Sequence, residues 1–227
     1  MSNIAGKTYA INVATPIHRG FSGINALIFQ ATRSLPHTLG GLLGLLFIHF
    51  ARWSIVRKGD WPDIGQGKER LRHDYMIFCS NFNGTWDQYI DAFSDGLPQG
   101  LNLYWYGNLG YPGSIPITPF KNYIRNNQFS TDYYYNATPG ATQRDIKSAL
   151  RVRAALAALA QRHAADHPDS FAAAYRAMLR RVQNDLGSHG PAPVASTDTA
   201  AAAMNKLDVL RGIQASLAFS GQPGAPG

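Results

Sequence analysis

The stretch from Tyr75 to Phe93 constrains the fold more than any other part of the chain. Tyr75 to Phe82 is a short, largely apolar run with aromatic Tyr75, Phe78 and Phe82, and reads as a strand. Asn83-Gly84 follows, and both residues tolerate the left-handed backbone that a tight turn needs. Thr85 and Gln88 then have the spacing of a capping box, in which the threonine caps a free amide and the glutamine reaches back. Trp86, Tyr89, Ile90 and Phe93 recur at three- and four-residue spacing, so the next element is a helix with one apolar stripe. A strand that turns straight into such a helix must pack it against its own sheet.

The rest of the first half fits around that unit. Thr8 to Pro16 alternates Tyr9, Ile11 and Val13 against Ala10, Asn12 and Ala14, and reads as a first strand. Ile24, Leu27, Ile28 and Ala31 predict a helix to about Ser34. Leu45 to Val56 reads as a strand, joined by a polar loop to Tyr75–Phe82 as an antiparallel hairpin. Leu101 to Tyr106 reads as a fourth strand. The order strand, helix, strand, strand, helix, strand predicts an α+β fold with a ferredoxin-like βαββαβ antiparallel sheet over residues 1–110.

Residues 111–141 form a connector, with a helix opening at Thr118-Pro119 and an extended Tyr133–Tyr135 laid across the domain. Residues 142–186 carry two amphipathic stripes and predict a C-terminal helical hairpin. Val152, Leu156 and Leu159 mark one helix; Phe171, Tyr175, Met178 and Val182 mark the other, capped by Asp169 or Ser170. Residues 187–227 read as a mostly disordered tail, with a short amphipathic segment at Leu207, Leu210, Ile213 and Leu217.

Composition narrows the setting. Cys79 is the sole cysteine, so no intrachain disulfide can form. The apolar run Leu39–Phe50 is too short for the roughly 20 residues a membrane helix needs, and Met1–Ala10 has no basic-then-apolar leader pattern. A cytoplasmic protein is expected. The net charge of +7 is spread along the chain, densest at Arg57-Lys58 and Lys68–Arg72, and makes peripheral contact with an anionic membrane a further expectation.

The wording His49-Phe50-Ala51-Arg52-Trp53, followed by Ser80-Asn81-Phe82-Asn83-Gly84-Thr85-Trp86, resembles a hairpin of the dimeric α+β barrel superfamily. That superfamily includes dye-decolorising peroxidases, chlorite dismutases and small monooxygenases. The resemblance spans residues 8–106. It implies a homo-oligomer with a small-molecule pocket on the sheet face, and an oxidoreductase of peroxidase or monooxygenase type. Haem is the cofactor class it brings into view, yet no haem-ligand motif is present and the cofactor stays unassigned.

Polar residues inside strands are the first candidates for such a pocket. His49, Arg52, Asn81 and Asn102 qualify; His49 and Arg52 are the candidate catalytic residues, and Asn81, Trp53 and Trp105 are candidate substrate contacts. His49 and Arg52 are three apart, so a regular strand puts them on opposite faces unless a bulge intervenes. Each has a structural reading too: a core imidazole bonded to the backbone, a guanidinium paired with Asp87 or Asp91, an Asn81 that caps the turn before Thr85. His163 and His167 have helical metal-pair spacing, but Pro168 puts His167 past the helix end, and no metal site is assigned. The competing function is a non-catalytic scaffold that holds a protein partner or membrane surface through the helical arm. Nucleic-acid binding is disfavoured, because Tyr75–Phe82 lacks the basic-Gly-aromatic signature of RNA-binding sheets.

Overall fold

The computed structural model describes residues 3–34, 47–163 and 167–187. The tail segment at Leu207–Leu217 and the start of the apolar run at Leu39 lie outside the described residues.

The fold is α+β, built on an open antiparallel sheet. Strands β1 (Ile4–Ala5), β2 (Thr8–Ile17), β3 (Ile48–Val56) and β4 (Asp74–Asn83) lie in the order β1-β2-β4-β3. β3 and β4 pair antiparallel as the sequence predicts, Phe50 opposite Asn81 and Val56 opposite Tyr75. Only β4 is central, however, because β2 takes its other side and leaves β3 outermost. A two-residue strand β5 (Gln128–Phe129) joins β2 at Val13 and Asn12, while β1 pairs with Thr8 and Tyr9.

The expected fourth strand at Leu101–Tyr106 is a helix. After α1 (Phe21–Ser34) and α2 (Trp86–Gly96), helix α3 runs from Pro98 to Trp105. Pro98 occupies its first turn, where a missing N–H costs nothing. Leu101, Tyr104 and Trp105 are buried while Leu103 is 50% exposed, a three-four spacing in place of alternation.

The other helices are α4 (Ile117–Asn127), α5 (Gln143–His163) and α6 (Pro168–Val182). α1 is rotated from its expected face: Asn25 is buried and Ile28 and Phe29 meet the core, whereas Ile24 and Leu27 are exposed. α6 is capped by His167, whose ring accepts from the Asp169 amide, and not by Asp169 or Ser170. In α5 and α6, Leu159 and Val182 are buried but Leu156 and Tyr175 stay exposed. A polar latch ties the two: Arg151 pairs with Asp185, and Ser148 donates to the same carboxylate at 2.9 Å.

One sheet face carries the core. Ile11, Val13, Met76, Phe78, Phe82, Ala51 and Trp53 pack against α2, α3 and α4. Aromatic rings carry most of it, with Phe82 stacked on Tyr89 at 3.8 Å and Trp105 edge-on to Phe78 at 5.1 Å. The capping box at Thr85 and Gln88 is present and fixes the entry to α2. The opposite face is crossed by the segment after β5. Asn12 donates to Thr131 at 2.9 Å, Asn81 to the Tyr134 hydroxyl, and Asn136 to Thr8 and the Ala5 carbonyl. Tyr133 and Tyr135, either side of that contact, point outward and are exposed.

Candidate functional site

Two chain reversals meet at the end of β2. His18-Arg19-Gly20 turns the chain from β2 into α1, with Gly20 at φ +89°. The segment after α3, Tyr106 to Gly113, folds back onto it. The His18 amide donates to the Gly107 carbonyl at 2.9 Å, and the Leu109 amide to the Pro16 carbonyl at 2.8 Å. Asn108 locks the junction from within. It accepts from Thr15 Oγ1 at 3.0 Å and donates to the Trp105 carbonyl at 3.1 Å, and it is almost fully buried. Gly107 has to be small here, since a Cβ would lie 3.0 Å from Asn25 Oδ1 and 3.1 Å from Phe21.

The reversals border an open cleft of about 830 Å³, lined by His18, Arg19, Phe21, Asn102, Tyr106, Asn108 and Tyr111 among others. Its volume falls in the range of small-molecule sites. Phe21 and Tyr106 meet edge-on at 6.2 Å and give it an aromatic wall. On the other side the Tyr111 hydroxyl donates to Asn102 Oδ1 at 2.9 Å, and the Ser114 amide donates to the same oxygen at 3.0 Å. Burial pushes the Tyr111 phenol above its ordinary range, so it stays a neutral donor at any physiological pH. Arg19 supplies the cationic side, with the His18 imidazole next to it in sequence, and both are exposed. A guanidinium beside aromatic rings and fixed amides can hold an anionic group joined to a planar body.

The five residues expected from the sequence do not converge. Trp53 and Trp105 lie within the core, edge-on at 5.9 Å. Arg52 and Asn81 share the opposite sheet face, where Asn81 meets Tyr134 and does not cap the turn before Thr85. Arg52 is exposed there, and Asp87 and Asp91 pair instead with Lys121 and Arg125 across α2 and α4. A β-bulge falls between Ile48 and Phe50, at His49. It turns the imidazole to the end of the sheet, where Nε2 donates to Asn83 Oδ1 at 3.0 Å.

Burial outweighs that hydrogen bond and lowers the His49 pKa below its usual 6.5. The unfolded chain therefore takes up a proton that the folded one refuses. Stability from this site is complete above pH ~6.5 and is lost as the pH falls toward the folded value. Urea midpoints should drop between about pH 7 and pH 5 in the wild type. His49→Gln should flatten that part of the profile, and an unchanged slope would show that other groups govern it.

The cleft residues carried a weak sequence signal. Asn102 stood out as a polar residue inside an expected strand, Gly20–Gly23 and Gly107–Gly113 read only as breaks, and nothing in the linear order says that two turns so far apart touch. Compared with protein-family models, curated proteins and solved structures, the chain matches none.

Proposed function

We propose that this protein binds a small anionic molecule with a planar or aromatic body in the cleft between the β2–α1 turn and the segment after α3. The observation that carries the reading is one open cleft that brings together Arg19 and His18, the Phe21–Tyr106 wall and the Tyr111–Asn102 pair. The rigid floor made by Asn108 supports it, because a preformed site loses little entropy on binding. This moves the expected pocket from the sheet face to the sheet end.

The sheet order also favours the ferredoxin-like relationship. β2, α1 and β3 form a split unit around β4, and β5 lies antiparallel to β2 where a fourth strand would run. An oxidoreductase activity remains the expectation of the hairpin resemblance alone. Exposed Leu150, Leu156, Tyr175 and Leu179 on α5 and α6 favour a second reading, in which the arm holds a protein partner or a second copy.

Thermal-shift and calorimetric titrations with aromatic carboxylates and aromatic phosphates test the first reading. Wild-type protein should bind at least one class, and Arg19→Ala should weaken that binding about tenfold or more, the loss of a charge-assisted hydrogen bond. Equal binding by the two proteins, or none by either, would overturn it.

A further inference from the structure

The loop between β3 and β4 is ordered around its own polar side chains, and it holds the most exposed large apolar residue among those described. Ile64 is 88% exposed and Trp61 beside it 44%. Asp63 Oδ1 accepts from the Gly65 amide at 3.0 Å and the Gly67 amide at 3.2 Å. The Gln66 side chain accepts from the Ile64 amide at 3.0 Å and donates to the Pro62 carbonyl at 2.8 Å. At the base, the Leu71 amide meets the Lys58 carbonyl, and Asp74 accepts from the Lys58 amide at 2.8 Å. This turn spends its polar groups on itself and turns an aliphatic side chain out to water.

Cations flank the tip on both strands of the loop. Arg57, Lys58, Lys68, Arg70 and Arg72 are exposed, against Asp60, Asp63 and Glu69. The ion pairs seen among the described residues lie elsewhere, at Lys7–Asp145, at Lys121 and Arg125 with the α2 aspartates, at Arg151–Asp185 and at His167–Asp169. Arg57 and Lys58 act on the Asp74 carboxylate, which leaves Lys68, Arg70 and Arg72 available to an outside partner.

We propose that residues 57–73 form a membrane-docking loop, with Ile64 and Trp61 entering the interfacial layer of an anionic bilayer and the flanking cations on its headgroups. An indole suits that layer because it has an apolar body and one N–H donor. The loop tip is far smaller than the ~800 Å² per partner of a specific protein interface. A lipid surface demands no such area: a few apolar side chains and a cationic collar suffice. Among the described residues no helix is long and apolar enough to cross a membrane, so this contact is peripheral.

Flotation of the full chain with phosphatidylcholine vesicles, with and without phosphatidylglycerol, tests the proposal. Wild type should float only with phosphatidylglycerol, and added salt should release it. Ile64→Asp, and separately Arg70→Glu with Arg72→Glu, should each lower partitioning at least tenfold while the urea midpoint stays at the wild-type value. Trp61 is the exposed indole among Trp53, Trp61, Trp86 and Trp105, so brominated lipid should quench wild type much more than Trp61→Phe. Wild type left unbound, variants that float equally well, or Trp61 unquenched would each overturn the proposal. Capture by soluble polyglutamate without any flotation would overturn it in favour of an acidic protein partner.

Discussion

Trp105→Ala should cost about 3–5 kcal/mol, enough to unfold a substantial fraction of the molecules near body temperature. The side chain is 1% exposed and lies edge-on to both Phe78 and Trp53. Its removal leaves a cavity bounded by rings that cannot close over it. The indole N–H has no hydrogen-bond partner among the described residues, so Trp105→Phe deletes an unpaired donor along with some volume. That variant should lose under ~1.5 kcal/mol. Leu103→Ala makes the comparison decisive. On a strand Leu103 would share the buried face of Trp105, but on α3 it is half exposed and should cost under ~1 kcal/mol. Urea denaturation of the three variants measures all of this. Matching losses at 103 and 105 would restore the strand.

Asn83→Leu should destabilise the protein by about 3–4 kcal/mol through polar groups, not volume. The Asn83 side chain stands where three segments meet. Its amide donates to the Lys7 carbonyl at 2.8 Å, and its oxygen accepts from the Gln143 amide at 2.9 Å and from His49 Nε2. Gln143 opens α5, so that amide belongs to the first turn, which has no acceptor within the helix. A leucine would fill the space but leave the partly buried Gln143 N–H, the Lys7 carbonyl and the His49 ring nitrogen without this partner. Asn83→Asp keeps the acceptor and loses only the donor, and should retain most of the stability. Hydrogen exchange should show the leucine variant opening first at Lys7 and along the start of α5. Protection unchanged at those amides would mean that α5 is held by other contacts.

How far the fold was legible depended on whether a residue's neighbours are near in sequence. The Thr85 capping box and the Trp86–Phe93 stripe are local and were readable. So was the β3–β4 pairing, since both runs needed a partner and a loop joined them. Leu101–Tyr106 was misread because its aromatic residues Tyr104, Trp105 and Tyr106 favour strands in general. Pro98 at the helix start and the burial of positions 101, 104 and 105 outweighed that preference. α1 turns a different face inward from the one expected, with Asn25 buried next to Gly107, a contact no periodicity encodes. The site was least legible. Its floor depends on Asn108 bonding to Thr15, a pairing set by the packing of α3 beside β2. Arg52 and His49 stood out only because they are polar in an apolar run. The bulge then sent one to the sheet end and left the other on the outer face.

That bulge also bears on how this protein behaves when crowded. An outermost strand with a long regular backbone invites another chain to add to it, the first step toward fibrils. β3 has its ladder interrupted at His49 and carries exposed Arg52 at its middle and Arg57 at its exit. The opposite border of the sheet is divided between β1 and β5, each two residues long. The divided border offers an incoming strand no long register, and the unbroken run Phe50–Val56 on β3 is guarded by the charges of Arg52 and Arg57, so concentrated solutions should resist templated β-assembly even though the sheet is left open.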